Sequence, residues 1–586
     1  MKKILLLMIT LMFNINVFSQ ATYTTDAAGL DWSDSNAWSI TGVDSDSDGI
    51  PDSDDTVVIL HNITVSDQQA ADNLTIGDFI VYPILSISGS SSSLTVANDF
   101  TNYADLIISG GSAQNPATLT INGDLQQDGN LTVGAGQRLV MHADSDINAR
   151  GTITINSGPS SFGSLYFYGS WTRQAGSGIL NYRRYINGVD SNWDLISVPI
   201  ANLNIDNWAQ NENDLATNDP QYAVGVYDNT TAAYNSGSGG GADSWVNYTT
   251  STAGEAGSFT PGKGYQMASK TGSEMGFSGV PNTGSISFDI INSELGDGSA
   301  NDPSDGSRFN LIGNPYPSFL SVEDVLNQAN GVLAWKSLYG YTGVTPGQGD
   351  LYEEYNLATG GFVAPGQGFM VPAESASNTA FVFEPSMQST ANSSMDDFIS
   401  GDVMDDERAE LFIGYSSNEI ADRTRIYFIE NTTDGFDNGY DAPRISLANN
   451  YISSRLVNDD DGYNIGVQSL AYSEMLNKTI PLVVNSQMGD EIVLSIIHNT
   501  TPADLNIYLE DAQEGTFTNL YEEDFAMTPT SDLSGAGRFF IHITADTMSN
   551  EDVSTSMLNA YKEINANHIT IEGLATQSNN INVSLY

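Results

Sequence analysis

Short apolar triplets recur along the first third of the chain. Eight of them lie between Val57 and about Gly169: Leu74-Thr75-Ile76, Leu85-Ser86-Ile87, Leu94-Thr95-Val96, Leu106-Ile107-Ile108, Leu119-Thr120-Ile121, Leu131-Thr132-Val133, Ile153-Thr154-Ile155 and Leu165-Tyr166-Phe167. Their starts are separated by 11, 9, 12, 13, 12, 22 and 12 residues. Each triplet predicts a short strand that buries alternate side chains, and turns such as Asn122-Gly123-Asp124 separate them. The spacing predicts a right-handed parallel β-helix, a solenoid, over residues 21–170, with an up-and-down sandwich as the alternative.

A second pattern repeats once in the middle of the chain. Trp193-Asp194-Leu195-Ile196-Ser197-Val198-Pro199 returns as Phe309-Asn310-Leu311-Ile312-Gly313-Asn314-Pro315, an offset of 116 residues. Pro261-Gly262-Lys263-Gly264 returns as Pro365-Gly366-Gln367-Gly368, an offset of 104 residues. The pattern predicts two tandem copies of one β module, 171–285 and 286–390. The Pro-Gly-x-Gly segments are interpreted as turns, because no Lys-Ser or Lys-Thr pair follows them as in a phosphate loop.

Helical signals are scarce, and the rest of the chain also has the pattern of strands. Only Ser321 to Gln328 predicts a helix convincingly, with Ser321 as its cap and acidic residues in its first turn. Residues 391–406 are polar and are predicted to form a linker, and alternation over 407–546 predicts a β-sandwich. The predicted fold class is therefore all-β.

Composition and charge narrow the classes of partner. The chain has 586 residues, which is too long for a single core. It has 19 Lys and Arg against 72 Asp and Glu, a formal net charge of −53. Such a chain repels nucleic acid and anionic membranes, whereas divalent cations and neutral glycans remain compatible. There is no cysteine, which excludes disulfides and thiolate metal sites.

The N-terminus has the pattern of a secretory signal. Met1-Lys2-Lys3 precedes an apolar run from Ile4 to Phe18. The run is short for a membrane-spanning helix, and we find no other stretch long enough to cross a bilayer. The sequence therefore predicts a signal peptide over 1–19, no transmembrane segment, and a secreted or outer-surface location.

The C-terminal residues 558–586 resemble a known sorting module. Leu558 to Lys562, Ile569 to Leu574 and Ile581 to Tyr586 are similar to the opening half of the type A C-terminal sorting domain of the Bacteroidetes type IX secretion system. The resemblance implies recognition by the type IX translocon, followed by release or by attachment to surface lipopolysaccharide. The family pattern continues past Tyr586, so we expect the chain to be a fragment that lacks the end of this domain. An incomplete sorting domain and an ordinary terminal hairpin are the alternatives.

Three further segments resemble parts of large Bacteroidetes surface proteins. Trp32 and Trp38 before Pro51 to Ile59 resemble the beginning of their β-helix modules, and Phe309 to Pro317 resembles their tandem middle modules. Gly435 to Pro443 resembles the module that commonly precedes the sorting domain. These resemblances imply an architecture and an export route, since adhesins, gliding proteins and exported enzymes share such parts.

The sharpest local motif is an Asp-rich stretch from Asp44 to Asp55. Asp44, Asp46, Asp48, Asp52 and Asp55 occupy relative positions 1, 3, 5, 9 and 12, and Gly49 occupies position 6. Hard oxygen ligands at this spacing predict a Ca²⁺ site, and the pattern resembles thrombospondin type 3 repeats and EF-hand loops. An acidic, solvated loop is the alternative. The stretch from Asn458 to Gly462 is a weaker candidate that is better interpreted as a plain turn.

Catalytic motifs are not evident. The histidines are scattered at positions 61, 142, 498, 542 and 568, and no Gly-x-Ser-x-Gly motif is present. Arg138 and Arg150 are the only cationic side chains between Ala21 and Ser170, which disfavours a polyuronate lyase. Paired carboxylates for glycoside hydrolysis are defined by their separation in space, so the sequence leaves that chemistry open.

The patterns together favour a structural role outside the cell. The leading hypothesis is a non-enzymatic, adhesin-like surface or secreted protein with a calcium-stabilised first segment. The alternative is an exported glycan-binding or glycan-degrading protein, in which Trp208, Trp245 or Trp335 could stack on sugar rings.

Overall fold

The computed structural model describes most of the chain between Gln20 and Glu572. The described ranges are 20–189, 192–230, 244–249, 256–293, 306–329, 331–342, 352–390, 408–418, 420–445, 450–545, 559–561 and 570–572. The predicted signal peptide and the linker at 391–406 lie outside them. None of the helices in these ranges has the length and apolar character that a membrane crossing needs.

The first part of the chain winds into coils of short strands. The strands are β1 Thr22–Thr25, β2 Leu30–Asp31, β3 Trp38–Thr41, β4 Thr56–Ile59, β5 Ile63–Val65, β6 Gln68–Ala71, β7 Asn73–Ile76, β8 Ile84–Ser88, β9 Ser93–Val96, β10 Phe100–Asn102, β11 Asp105–Ser109, β12 Thr118–Ile121, β13 Leu125–Gln127, β14 Asn130–Val133, β15 Arg138–Met141, β16 Ile147–Ala149, β17 Thr152–Gly158, β18 Ser161–Phe162, β19 Ser164–Tyr166, β20 Trp171–Arg173 and β21 Ile179–Ile186.

Parallel pairing between coils confirms the solenoid and excludes the up-and-down sandwich. Three sheets run along it, in the orders β20-β16-β13-β10-β7-β4-β1-β3, β2-β5-β8-β11-β14-β17-β21 and β19-β15-β12-β9-β6. Every pair in these orders is parallel except β1 with β3, and the short β18 pairs antiparallel with β17 outside them. The register places similar apolar side chains above one another in successive coils, as in the buried column Ile63, Leu85, Leu106, Leu131, Ile153 and Leu180. The right-handed coil remains a prediction.

All eight triplets form strands, but a coil is longer than the triplet spacing. The partners Leu74, Phe100, Leu125, Ile147 and Trp171 are 26, 25, 22 and 24 residues apart in sequence. Each complete coil therefore contributes three strands, of which the triplets usually mark two. The 22-residue interval before Ile153 contains β15 and β16, which the triplet pattern missed.

Glycine is required at one corner of the solenoid. A Cβ on Gly151 would lie 1.7 Å from the carbonyl oxygen of Gly129, and a Cβ on Gly129 would lie 2.0 Å from that of Ala104. Neighbouring coils are separated by only about 4.8 Å, so no side chain fits between them at this corner.

Two modules of the same topology follow the solenoid. The first contains β22 Asp194–Ile196, β23 Ile200–Ala201, α1 Ile205–Asn211, β24 Thr217–Asn218, β25 Gln221–Tyr227, β26 Trp245–Thr249, β27 Tyr265–Met267 and β28 Ser273–Pro281. The second contains β29 Ile286–Ile290, β30 Phe309–Gly313, β31 Phe319–Ser321, α2 Val322–Gln328, β32 Leu338–Tyr341, β33 Tyr352–Tyr355, β34 Phe362–Val363, β35 Gly368–Pro372, β36 Thr379–Phe383 and β37 Gln388–Ser389.

Matching sheet orders support the predicted internal repeat. The order β22-β27-β25 with β26 on β25 corresponds to β30-β35-β32-β33. The helix predicted after Ser321 is present as α2, and the hydroxyl of Ser321 accepts from the Asp324 N–H. A second helix, α1, gave no convincing signal in the sequence, although Asn204 caps it in the same way through the Asn207 N–H.

The two modules exchange backbone hydrogen bonds through their Pro-Gly-x-Gly turns. The Ser197 N–H of the first module donates to the carbonyl of Gly366, in the turn of the second module, at 2.7 Å. The N–H of Gly264, in the turn of the first module, donates to the Leu311 carbonyl of the second module at 3.1 Å. Each turn is thus paired with the first sheet strand of the other copy, so the repeat forms one interlocked unit.

The solenoid continues into the modules without a break at residue 170. Strand β21 pairs parallel with β17 and antiparallel with β28, and one hydrophobic core runs from the coils into the first module. The second module contacts the last coils, where the Leu165 N–H donates to the Pro317 carbonyl at 2.7 Å. Gln388 also donates to the carbonyl oxygen of Phe167 at 2.8 Å.

The third block is a sandwich-like arrangement around one core. Its strands are β38 Arg408–Ser417, β39 Ile420–Ile429, β40 Ala442–Pro443, β41 Tyr451–Ser454, β42 Ile465–Leu470, β43 Lys478–Asn485, β44 Ile492–Asn499, β45 Asn506–Asp511, β46 Thr516–Asn519, β47 Phe525–Met527 and β48 Phe539–Thr544. Residues of β38, β43 and β45 meet in the same core. In the region that resembles a sorting domain, β49 Asn559–Tyr561 pairs antiparallel with β50 Thr570–Glu572.

We predict that Gly151→Ala loosens the solenoid. Its new Cβ would overlap the Gly129 carbonyl, and overpacking of this kind costs about 3 kcal/mol. Hydrogen–deuterium exchange should become about a hundredfold faster in peptides covering β14 and β17. Gly435→Ala is the matched control, because its nearest atom would be 3.8 Å away. Unchanged exchange in Gly151→Ala would contradict the close approach of the coils.

Candidate functional site

The Asp-rich loop joins β3 to β4 at the N-terminal end of the solenoid. Both carboxylate oxygens of Asp44 accept backbone N–H groups, from Ser47 at 2.8 Å and from Gly49 at 2.9 Å. Ser47 and Gly49 have positive φ values of 65° and 80°, which curl the chain around Asp44. The predicted need for Gly at position 6 of the motif agrees with this conformation.

The structure divides the predicted ligands into two groups. Asp44, Asp46 and Asp48 each place one carboxylate oxygen within 4.8 Å of the others. Asp52 and Asp55 belong to a second group of the same compactness, together with Asp54. Sequence reasoning omitted Asp54, although its position between two predicted ligands was a usable signal. Each group could hold a cation through its carboxylate oxygens.

Crowding of like charges perturbs these carboxyl groups. A hydrogen bond with Asp44 is the main cause that raises the pKa of Asp46, and it outweighs the Asp48 N–H, which acts to lower that pKa. A hydrogen bond with Asp54 likewise raises the pKa of Asp52. Burial acts to raise the pKa of Asp44, but backbone N–H donors outweigh it and hold that pKa low. A bound divalent cation would relieve this repulsion, since it favours the charged form of every carboxyl group near it.

The loop is tied to the first coil. Asp55 accepts from the Ala21 N–H at 3.2 Å and from the Asp52 N–H at 3.1 Å. Beneath it, the indole N–H of Trp38 donates to the Trp32 carbonyl at 2.9 Å, and the two indole rings are 5.0 Å apart. Ordering of the loop is therefore coupled to ordering of the solenoid's N-terminal end.

A cleft of about 290 Å³ lies between the second module and the sandwich. Its lining residues are Thr342, Tyr352, Glu353, Glu354, Ala421, Asp422, Arg423, Arg425, Arg444 and Ile497. Arg425 lies 3.1 Å from a Glu353 oxygen and 3.3 Å from a Glu354 oxygen. Arg444 pairs with Asp422 at 2.5 Å. The arginines and carboxylates of this cleft therefore form a network of ion pairs across the interface.

The two glutamates of the cleft are held by arginine. Glu353 and Glu354 are neighbours on β33, and the carboxylates of both contact the Arg425 guanidinium. Burial acts to raise the pKa of Glu353, but Arg425 and Arg423 outweigh it and lower that pKa. Burial raises the pKa of Glu354, whose carboxylate packs where a side chain on Gly466 would stand. Their pairing explains them as interface contacts.

A second buried acid lies in the segment that resembles the module before the sorting domain. Asp441 is fully buried and accepts from the Asp437 N–H at 2.6 Å and from the Ser469 N–H at 2.7 Å. Burial raises its pKa from the ordinary 3.8 to about 8. The same segment contacts the second module, where Asn438 accepts from the Lys336 N–H at 2.8 Å.

The remaining candidates from the sequence do not gather into a site. Trp208 and Trp335 are buried and Trp245 is half-buried, so none offers an open platform. The large aromatic side chains that are exposed in the described ranges are Phe79, Tyr82, Phe436 and Tyr521, and sequence reasoning proposed none of them as a sugar platform. In the turn at 458–462, Asp460 accepts from the Gly462 N–H. His61, His142, His498 and His542 are dispersed over the described ranges, and His568 lies outside them.

The chain belongs to a protein family. The family described as a domain of unknown function, DUF8693, matches residues 89–543, which is more than half of the chain. The match runs from the third coil of the solenoid to the end of the sandwich. No curated protein and no solved structure matches the chain.

We predict that Asp441 makes the sandwich less stable as pH rises. Its raised pKa means that stability from the protonated carboxyl is complete below about pH 4 and is lost as pH rises through about 8. Asp441→Asn should gain stability relative to the parent by up to about 1.4 kcal/mol per pH unit between pH 5 and 8. Urea unfolding of the full chain at four pH values measures this difference. Asp461→Asn on an exposed loop is the control, and a pH-independent difference for Asp441→Asn would contradict the assignment.

Proposed function

We propose that this member of the DUF8693 family is a structural, adhesin-like protein of the outer cell surface or medium. The observation that carries the proposal is the continuous docking of its β blocks. Strand β21 joins the solenoid to the first module, the two modules are interlocked, and the second module is ion-paired to the sandwich. Such a chain of docked β units is suited to holding a binding face away from an anchor.

Two sequence features that favour export support the proposed role outside the cell. The signal-like N-terminus and the resemblance of 558–586 to a type A sorting domain favour delivery by the type IX translocon. The acidic, cysteine-free composition is compatible with an extracellular protein that meets neutral glycans or cations. Attachment to lipopolysaccharide is a proposal that rests on the same resemblance.

We predict that export depends on the type IX system. The full-length protein should be surface-exposed or secreted in a Bacteroidetes host. Removal of the segment from residue 558 onward should retain the protein in the periplasm. Protease accessibility on intact cells and fractionation measure the location, and deletion of residues 391–406 is the control truncation. Equal surface exposure with and without the segment would contradict this route.

Calcium is proposed as the ligand of the Asp-rich loop. Asp44, Asp46 and Asp48 converge on one side of the loop, and Asp52, Asp54 and Asp55 converge beside the Ala21 backbone. Carboxylate oxygens are the ligands that Ca²⁺ prefers, and millimolar affinity is usual for extracellular modules. Binding would stabilise the first coil because the loop is hydrogen-bonded to it.

We predict that millimolar Ca²⁺ raises the melting temperature of the full chain and that a chelator reverses the rise. Calorimetric titration should show binding that Asp46→Ala/Asp48→Ala abolishes. Asp144→Ala on another exposed turn of the solenoid should bind as the parent does.

Two outcomes would contradict the proposal that the Asp-rich loop binds calcium. One is the absence of binding up to about 10 mM Ca²⁺, well above the affinity range of extracellular modules. The other is equal binding by the parent and the double variant, which would place the ion elsewhere. Neither outcome bears on the export route.

A further inference from the structure

One corner of the solenoid carries an insertion that the fold does not need. At this corner, the turns 103–104, 128–129 and 150–151 have two residues each, and the turn 60–62 has three. The turn between β7 and β8 spans residues 77–83. The coils before and after it stack in the usual register, so the added residues change only the surface.

The insertion presents large apolar side chains to solvent. Phe79 is 76% exposed, Ile80 84% and Tyr82 66%. Asp78 stabilises the loop, because its carboxylate accepts from the Ile80 and Val81 N–H groups at 2.7 Å each. A contiguous group of exposed apolar side chains marks an interaction site rather than core.

Ring-bearing side chains follow one another along this corner. His61 is exposed in the turn of the preceding coil, and Tyr103 is half-buried in the turn of the next. The rings of Phe79 and Tyr103 are 5.1 Å apart between centroids, close to the spacing of about 4.8 Å between coils. Phe79 and Tyr103 therefore pack against each other along the solenoid axis, and His61 and Tyr82 lie in turns of the same corner. We call these four residues the ring stripe.

The charge around the ring stripe selects an uncharged ligand. Residues 21–170 contain 18 Asp, no Glu and two Arg. An anionic polymer or lipid surface would be repelled, whereas a neutral one is not. The Asp78 carboxylate accepts two backbone N–H groups, which lower its pKa and keep it charged, so the tip of the loop adds to the repulsion of anionic ligands.

We propose that the ring stripe is a binding site for a neutral polysaccharide that lies along the solenoid axis. Aromatic rings in successive turns along one line match the repeated pyranose rings of an extended glycan. The Tyr82 hydroxyl donates to the Phe79 carbonyl at 3.3 Å and can still accept a hydrogen bond from a sugar hydroxyl. A protein partner that binds through a compact pocket would take up one projecting side chain rather than a row of rings. The proposal supplies a ligand for the surface role above and rests on it only for access to extracellular glycans.

Affinity gel electrophoresis of the full chain tests the proposal. The probes are hydroxyethylcellulose, galactomannan and laminarin as neutral polysaccharides, and alginate as the anionic one. We expect retardation by at least one neutral polysaccharide and none by alginate. Phe79→Ala/Tyr82→Ala should weaken the binding about tenfold or more, because two stacking faces are lost.

Ile80→Ser is the control that separates ring stacking from general apolar contact. Its side chain is at least as exposed but has no ring, so glycan affinity should stay within about twofold of the parent. An equal loss of glycan affinity in Ile80→Ser would show that the apolar surface of the loop, rather than its rings, carries the binding, and would overturn the proposal. Failure of all three neutral polysaccharides to retard the parent would overturn it too.

Folding and export are controlled separately. The thermal unfolding of every variant should match the parent, since these side chains lie outside the core. Tyr82→Ala alone provides a milder variant that removes one exposed ring. A chain that reaches the cell surface but binds no neutral glycan would refute the ring stripe and leave the export proposal standing.

Discussion

The exchange of backbone hydrogen bonds between the two modules is the constraint on which the rest of the architecture depends. Each Pro-Gly-x-Gly turn completes the sheet of the other copy, so neither copy has its full set of partners alone. The turns must come very close to the facing strands. A Cβ on Gly264 would lie 2.6 Å from the Ile312 carbonyl, and one on Gly368 would lie 2.8 Å from the Ile196 N–H. Glycine is therefore needed in both copies for the same reason, and the repetition of the motif reflects one shared interface.

Both ends of the molecule attach to this interlocked unit. Strand β21 of the solenoid pairs with β28 of the first module, and the last coil is hydrogen-bonded to the second module through Gln388. The second module contacts the sandwich through Tyr339, whose hydroxyl donates to the Pro443 carbonyl at 2.6 Å. Many of the chain's arginine side chains lie in its interior. Five of its twelve arginines are buried, at positions 184, 308, 425, 444 and 455. A buried arginine neutralises carboxylates inside the protein, so the outer surface is left acidic or neutral and selects its ligands accordingly.

The sequence predicted those parts of the fold in which local pattern and packing agree. Apolar triplets and the internal repeat were visible because each buried side chain stands in a regular alternation. Strands β10 and β13 were hidden because Asn102 and Gln127 occupy buried positions, where their amides bond to each other at 3.2 Å. Helix α1 was hidden because its stability comes from tertiary packing of Trp208 on Phe277, at 4.9 Å, rather than from helix propensity. In the cleft, Glu354 pairs with Arg425, which lies 71 positions later in the sequence, and no local motif predicts a pair so far apart.

The two loops proposed to meet ligands lie outside the part of the chain that defines its family. The family match begins at residue 89, after both the Asp-rich loop at 44–55 and the ring stripe's insertion at 77–83. The matched span contains the later coils, the interlocked modules and the sandwich, which together form the docked scaffold. Membership in the family therefore bears on how the scaffold is built, whereas calcium and glycan binding are properties to be measured on this chain. The division is physically reasonable, because a turn of the solenoid can lengthen without disturbing the register of the coils on either side.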